Sequence, residues 1–166
     1  MLICVLKGSL VIVASVIAVG LTVSGCGSSE EVVDVSFSAS FTERTVIDGG
    51  LTGPSHGDYI PASGDLLNSD GEVIGEFNTV TFVTGTTDEL QGRVLLAEYA
   101  FAGGLDSLVI TGAGVWPPGN ELLMDRTYTY PVVGGTGNYA GARGECSVTR
   151  KDSVYDVNCR FSVLPE

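Results

Sequence analysis

The segment 145–163, ECSVTRKDSVYDVNCRFSV, contains two strand-like runs, 145–149 and 154–163. Between them lies the polar tetrapeptide Arg150-Lys151-Asp152-Ser153, whose composition is typical of a turn. Two runs of this kind on either side of a short polar turn predict antiparallel strands. The segment therefore predicts a β-hairpin that turns about Asp152 and Ser153.

The two cysteines of this hairpin are predicted to face each other. Folding the segment about its midpoint places Cys146 opposite Cys159. In an exported protein such a pair is expected to be oxidised, so we expect a cross-strand disulfide. A zinc site would need two further soft ligands, and the chain offers only His56, so no metal site is predicted.

Eight strand-like runs follow one another along the chain, and no window between them has the apolar spacing of an amphipathic helix. They are residues 32–44, 58–68, 72–84, 92–102, 107–115, 126–133, 140–150 and 154–163. Short loops rich in Gly, Asp, Asn and Pro separate them. Even spacing and short loops predict an all-β antiparallel meander, and eight such strands close into a small β-barrel. A sandwich of two sheets is the alternative.

Two loops carry partial ion-binding patterns. The turn Asn68-Ser69-Asp70-Gly71 matches part of a calcium-binding EF-hand loop, but Leu66 and Phe77 stand where that loop requires acidic residues. The run Gly134-Gly135-Thr136-Gly137 lacks the lysine and the helix that follow a phosphate-binding loop. Both are therefore predicted to be plain turns, and no cofactor is predicted.

The amino-terminal residues have the pattern of a targeting segment. Residues 1–21 contain no acidic residue and no proline, and an apolar run from Ser9 to Gly20 follows Lys7. This pattern is typical of a secretory signal peptide. The alternative is a transmembrane anchor, because residues 2–23 are long enough to cross a bilayer.

The apolar run ends in Val23-Ser24-Gly25-Cys26, which resembles the bacterial lipobox. In that motif the peptidase cleaves before the cysteine, whose thiol carries diacylglycerol. We therefore predict a signal peptide over residues 1–25, a lipidated tether over 26–31 that starts at Cys26, and one barrel domain over 32–166. The predicted location is the bacterial cell envelope, with attachment to the membrane through the lipid.

The charge balance excludes one class of partner. The chain has 20 acidic and 8 basic residues, and removal of residues 1–25 would take away Lys7 and no acid. A surface this acidic repels phosphate backbones, so nucleic acid is not an expected partner. Acidic surfaces low in lysine usually serve solubility.

The segment 131–144, PVVGGTGNYAGARG, resembles the signature of the dirigent and allene oxide cyclase barrel superfamily. Residues 53–58 and 70–75 are similar to a loop and a hairpin of its bacterial members, and residues 57–61 resemble a stretch of the plant cyclases. The resemblance covers most of residues 32–163. It implies an eight-stranded barrel with an axial ligand cavity, and a homotrimer, as in many of the plant relatives.

The catalytic groups of these relatives do not carry over. At the positions that match the acid, amide and thiol groups of the plant cyclases, this sequence has Ser40, Thr42, Gly64 and Thr81. A hydroxyl without a neighbouring base has too high a pKa to abstract a proton near neutrality. The His-Asp dipeptide of the dirigent proteins has no counterpart within residues 36–41. Catalytic residues are therefore left unassigned, and whether the protein is an enzyme stays open.

The alignment also implies which side chains face the cavity. It directs Ser40, Thr42 and Thr81 inward, and with them Tyr99 and Phe101 of the fourth strand. Hydrophobic patterning gives the opposite face of the first strand to the core. Its apolar set is Val33, Val35, Phe37, Ala39 and Phe41. Burial of that set between subunits of a trimer would reconcile the two expectations.

Four other side chains are candidates for the site. Arg126 and Tyr128 share a face just before the signature segment, where they could orient a carbonyl or a phenol. Trp116 precedes two prolines and is expected to cap the barrel mouth, whereas His56 is expected at the surface.

The sequence therefore predicts a lipid-anchored barrel that binds a small hydrophobic or phenolic molecule in an axial cavity and guides its cyclisation or coupling. The alternative is a structural or surface-interaction lipoprotein whose barrel is filled by side chains.

Overall fold

The computed structural model describes residues 31–163, apart from 51, 54, 88 and 118–121. Cys26 and the predicted signal peptide lie outside the described residues. The described part contains no α-helix, and no helix in it is long and apolar enough to cross a membrane.

Eight antiparallel strands form a closed barrel in which neighbours along the chain are neighbours in the sheet. The strands are β1 (Glu31–Arg44), β2 (Tyr59–Leu67), β3 (Val73–Thr86), β4 (Gln91–Phe101), β5 (Asp106–Trp116), β6 (Thr127–Thr136), β7 (Arg143–Lys151) and β8 (Val154–Val163). Pairing of β1 with β8 closes the barrel, for example at Val35 opposite Cys159. The predicted all-β barrel is confirmed, and the two-sheet sandwich is wrong.

The β7–β8 hairpin has the predicted register. Cys146 pairs with Cys159, and the two form a disulfide with an S–S distance of 2.00 Å. Both residues are buried in the barrel core. The predicted disulfide is therefore confirmed, and it links the strand that closes the barrel to its neighbour.

The orientation of β1 corrects the prediction from the alignment. Phe37 and Ala39 point into the barrel and are buried, so the hydrophobic pattern gave the right face. Ser36 and Ser38 lie on the outer face, where their hydroxyls donate hydrogen bonds to the side chains of Asn158 and Asp156 on β8. Ser40, two positions further on, shares this outer face and does not line the interior. The apolar face of β1 thus needs no second subunit to bury it.

Thr42 is also outside the interior, for a different reason. Phe41 pairs with Gly64 and Glu43 pairs with Ser63, so Thr42 is an extra residue in β1, as in a β-bulge. Its hydroxyl donates to the Ser63 carbonyl oxygen at 3.3 Å. Because the bulge shifts the alternation by one residue, Arg44 faces the interior together with Phe41.

One end of the barrel is filled by aromatic side chains, and we call it the closed end. Phe37 packs edge-on against Tyr99 and Phe101, with ring centroids 4.9 and 5.4 Å apart. Tyr139 covers this cluster, because its ring packs edge-on against Phe101 and Phe161. Such contacts add to the free energy of burial.

The signature segment supplies this cover. Gly137 has a φ of +56°, and a Cβ at this position would collide with the Asp106 carboxylate and the Leu105 carbonyl oxygen. The Asp106 carboxylate also accepts a hydrogen bond from the Asn138 backbone N–H at 2.9 Å. The run 134–137 is thus the end of β6 and a tight turn that positions Tyr139, as the plain-turn prediction expected.

The turn Asn68-Ser69-Asp70-Gly71, which matches part of an EF-hand loop in sequence, is a hairpin turn between β2 and β3. The Asn68 side-chain oxygen accepts hydrogen bonds from the backbone N–H groups of Asp70 and Glu72. Asn68 therefore organises the β2–β3 connection with its side chain, as asparagine commonly does in turns.

Candidate functional site

A cavity of about 110 Å³ lies inside the opposite half of the barrel, which we call the open end. It lies where β1, β3, β5 and β7 finish and where β2, β4, β6 and β8 begin. Small inward residues leave this space, among them Ala39 on β1, Ala62 on β2 and Ala97 on β4. The same barrel is thus filled at one end and hollow at the other.

Two glycines on β5 shape the wall of the cavity. A Cβ at Gly112 would collide with the ring of Tyr130, and a Cβ at Gly114 would approach the ring of Trp116 to 2.8 Å. The glycines therefore let these two aromatic rings lie flat against the wall. Trp116 lies at the open end, where the sequence placed a cap, and it also lines the cavity.

The lining is mostly apolar, with a limited set of polar groups. The polar lining residues are Arg44, Thr79, Thr81, Arg93, Tyr99, Trp116, Tyr130 and Tyr155. Among the described residues no carboxylate, lysine or histidine lines the cavity. Each of these polar groups can donate a hydrogen bond, and the two arginines also carry positive charge.

Arg93 is the most buried basic residue in the described part of the chain, with 5% of its surface exposed. Its Nε and Nη2 groups donate hydrogen bonds to Gln91 Oε1 at 3.2 and 2.5 Å. Its guanidinium carbon lies 6.0 Å from the centroid of the Trp116 ring, within the range of a cation–π contact. Burial and the nearby charge of Arg44 both lower the pKa of Arg93, yet a guanidinium stays protonated in proteins.

The tyrosines of the cavity are hydrogen-bond donors, not bases. Burial is the main cause that raises the pKa values of Tyr99 and Tyr130 well above the usual value for a phenol. Both hydroxyls therefore stay protonated near neutral pH. Trp116 Nε1 is a further buried donor, and within the described part of the chain it has no hydrogen-bond partner.

These groups define what the cavity can do chemically. An apolar wall can hold a ring and exclude water, and the donors can orient or polarise an acceptor oxygen. Among the described lining residues there is no carboxylate, histidine or lysine that could act as a general base. No group of three His, Cys, Asp or Glu residues in the described ranges could hold a metal ion.

The residues predicted to line the cavity fall into three groups. Thr81 and Tyr99 line it. Phe101 points inward but packs in the closed end against Phe37 and Tyr139, away from the cavity. Ser40 lies outside the interior because β1 has the opposite orientation to the one that the alignment implied. Thr42 lies outside it because it is the extra residue of the bulge in β1.

Arg126 is also outside the cavity. It precedes β6, is exposed, and its guanidinium carbon lies 5.3 Å from the centroid of the Tyr128 ring. The prediction that it lines the cavity is therefore wrong, whereas the two arginines that do line it, Arg44 and Arg93, were not proposed as site residues. Side chains alternate between the two faces along β4, and this alternation predicts that Arg93 points inward on the same face as Tyr99. An arginine at an inward-facing position was therefore the sequence feature that could have identified Arg93 as a site residue.

The loop 45–58 beside the open end is held by Asp58. This carboxylate is 2% exposed and accepts hydrogen bonds from the backbone N–H groups of Ser55 and Gly49 and from the Ser55 hydroxyl. The backbone bonds from Ser55 and then Gly49 are the main causes that lower the pKa of Asp58. His56, in the same loop, is exposed.

We expect the replacement Asp58→Asn to destabilise the barrel in a pH-dependent way. Because the pKa of Asp58 is lowered in the folded state, its stabilising effect is complete above the unfolded value of about 3.9 and is lost as the pH falls through the folded value. Urea unfolding should show a lower midpoint for the variant at pH 7 and a smaller difference at pH 2.5. Asp70→Asn, in an exposed turn, is the control and should behave like the parent protein. Equal midpoints of parent and Asp58→Asn at pH 7 would contradict this role of Asp58.

Comparison of the sequence with protein-family profiles and with curated proteins finds no match. Solved structures do resemble the barrel. A pyocyanin demethylase is 19% identical with a TM-score of 0.63, and the match covers 78% of this chain and 99% of that one. An exo-specific intermolecular Diels-Alderase is 13% identical with a TM-score of 0.61, over 81% of this chain and 99% of that one. The Diels-Alderase AbmU from Streptomyces koyangensis is 12% identical with a TM-score of 0.60, over 86% of this chain and 72% of that one.

At these identities the likeness is one of fold. It supports the part of the sequence-based resemblance that concerns the β-barrel itself. It does not favour the dirigent proteins in particular, since none of these three structures is described as one.

Proposed function

We propose that this protein binds a small apolar molecule containing a ring, or able to form one, in the open end of its barrel and holds it in a conformation that favours cyclisation or coupling. The observation that carries the proposal is the hollow half of the barrel, with its apolar wall and inward-facing donors. Natural ligand sites commonly combine these two features. The cavity of about 110 Å³ is smaller than the apolar cavity of about 150 Å³ that holds benzene, so it can enclose at most about one aromatic ring, and any larger ligand would extend out of the open end.

The chemistry available fits reactions that need no proton transfer. A cycloaddition moves only π electrons into new carbon–carbon bonds, so it can be accelerated by orientation and by hydrogen bonds to a carbonyl oxygen. Arg93 and the hydroxyls of Tyr99 and Tyr130 could supply such bonds. Two of the similar structures described above are Diels-Alderases, which perform a reaction of this kind, and this supports the proposal.

Filling the cavity tests the proposal. Ala97 faces the cavity and is 4% exposed, whereas its neighbour Leu96 faces outward and is 47% exposed. We expect Ala97→Phe to abolish binding of p-cresol, measured by ligand-observed NMR, and Leu96→Phe to leave it unchanged. Compounds retained by the purified protein, identified by mass spectrometry, should likewise be absent from Ala97→Phe.

The alternative is a structural or surface-interaction lipoprotein, and the filled closed end is the observation that favours it. Such a protein would retain no compound and would not bind p-cresol. Binding that is unaffected by Ala97→Phe would place the ligand elsewhere and would also exclude the cavity as its site.

We further propose that the protein is exported and anchored by a lipid on Cys26, as the lipobox resemblance suggests. Processing should be sensitive to globomycin, and Cys26→Ser should release the protein from the membrane fraction with a shift in mass. A variant that stays in the membrane fraction with unchanged mass would exclude the lipid anchor.

We also propose that copies associate, as the resemblance to trimeric barrels suggests. An apolar patch on the outer face supports this. Tyr59 pairs with Phe82 and Phe82 pairs with Val94, and all three side chains are exposed. Exposed apolar side chains grouped in this way commonly mark an interaction surface.

A further inference from the structure

Trp116 carries a buried hydrogen-bond donor that the described part of the chain does not satisfy. The residue is 4% exposed and lines the cavity, and its Nε1–H has no acceptor among the described residues. Leaving a buried donor without an acceptor is costly, so a donor of this kind commonly marks the place of a ligand or of an ordered water.

The side chains packed against the indole ring do not supply the acceptor. The Arg93 guanidinium carbon lies 6.0 Å from the ring centroid, and a guanidinium has donors only. The Tyr128 ring lies 6.1 Å away at an angle of 31°, and its hydroxyl is likewise buried and without a partner among the described residues. Of these two unpartnered groups, only Trp116 belongs to the lining of the cavity. A molecule in the cavity can therefore supply the acceptor that these neighbours do not.

The charges around the cavity favour a neutral acceptor. A second cavity of about 160 Å³ adjoins the first, and Ile60 belongs to both linings. The charged residues of the first lining are Arg44 and Arg93, and those of the second are Asp48 and Asp58. The described residues of the two linings together thus carry two positive and two negative charges. They leave no excess charge to attract an ionic ligand.

Desolvation acts in the same direction. Burial raises the pKa values of Tyr99 and Tyr130 above the usual value for a phenol, because this interior disfavours the negative charge of a phenolate. A carboxylate or phenolate ligand would meet the same cost. A carbonyl oxygen, in contrast, accepts a hydrogen bond from an indole N–H without carrying a charge.

Building on the binding function proposed above, we infer that the ligand is a neutral carbonyl compound, such as an aryl ketone, whose carbonyl oxygen accepts a hydrogen bond from Trp116 Nε1. Trp116 is the last residue of β5, so this oxygen is held at the open end. The ring of the ligand reaches inward along the apolar lining, where Leu95 pairs with Gly112 of β5. A donor at the carbonyl oxygen also polarises a conjugated double bond, which suits the proposed coupling or cyclisation.

The probes are acetophenone and α-methylstyrene, which have nearly the same shape and differ in that a methylene group replaces the carbonyl oxygen. The chain has a single tryptophan, so the ¹⁵N-labelled protein gives one indole N–H signal in its NMR spectrum. We expect acetophenone to move the proton of this signal downfield and α-methylstyrene not to do so. The aromatic rings of the two probes have similar ring-current effects, so the difference between them reports the hydrogen bond.

Removal of the donor tests the assignment to Trp116. Biosynthetic replacement of tryptophan by benzothienylalanine exchanges the indole N–H for sulfur and changes no other residue. We expect acetophenone, followed by ligand-observed NMR, to bind about three- to tenfold more weakly to this protein, and α-methylstyrene to bind as before. Trp116→Phe should weaken acetophenone binding in the same direction, and it is the second variant if the first does not fold. Tyr128→Phe removes the neighbouring hydroxyl outside the lining and should leave the binding of both probes unchanged.

The outcomes separate the inference from the proposed function. Acetophenone that binds without moving the indole signal, or that binds equally well after the N–H is replaced, would overturn the inference and leave the binding function standing. An equal loss of acetophenone binding in Tyr128→Phe would also overturn the inference, as would tighter binding of benzoate than of acetophenone. No binding of acetophenone, α-methylstyrene or p-cresol would overturn both.

Discussion

Replacing Phe37 by alanine is expected to lower the free energy of unfolding by about 3–5 kcal/mol, the usual cost of deleting a buried phenylalanine side chain. Phe37 is 5% exposed and packs edge-on against Tyr99 and Phe101 in the closed end. The neighbouring strands are hydrogen-bonded into a closed barrel, so they have little freedom to collapse into the space that is left. Chemical denaturation of the purified variant measures the change.

Ser40→Ala is the matched control for this substitution. Ser40 lies on the same strand but on its outer face, so its replacement is expected to change the free energy of unfolding by less than about 0.5 kcal/mol. The two variants together test the orientation of β1. If Ser40→Ala were the costly substitution and Phe37→Ala the mild one, the face assigned to the interior would be wrong.

This pair of residues also shows what could be predicted from the sequence. The strand-like runs and the turn residues between them predicted the positions of all eight strands. The bounds of β8 are the predicted ones. The orientation of β1 was predicted in two ways, and only the hydrophobic alternation of Phe37 and Ala39 gave the right one. An alignment that is shifted by one residue reverses every side chain of a strand, whereas burial of apolar side chains does not depend on an alignment.

The candidate site was harder to predict for a physical reason. Arg44 faces the cavity only because Thr42 is an extra residue in β1, and a bulge depends on the pairing with β2, which is not visible in the local sequence. Arg93 could be predicted as inward-facing from β4 alone. What the sequence could not show is that the barrel is filled at one end and hollow at the other, because this depends on which inward residues of different strands lie at the same level.

Removal of the disulfide is the other change with a large expected effect. Cys146 and Cys159 are separated by 13 positions, and closing a loop of this size restricts the unfolded chain enough to stabilise the folded state by roughly 3 kcal/mol. We expect the double variant Cys146→Ala/Cys159→Ala to keep the β-sheet content of the parent protein but to unfold at a lower denaturant concentration. The parent protein, treated with a reductant during unfolding, should show a similar loss.

The position of the bond predicts where the effect is concentrated. β8 pairs with β7 on one side and with β1 on the other, and the pairing with β1 closes the barrel. Without the bond, opening of β8 no longer has to carry β7 with it, so amide hydrogen exchange should rise most in β8 and in the facing residues of β1. Leu66 on β2 and Phe77 on β3 are both buried and lie on strands that do not pair with β7 or β8, so their amides provide the internal control. A uniform rise in exchange over the whole barrel would show that these strands open only by global unfolding, and unchanged stability of the double variant would show that the disulfide does not stabilise the fold.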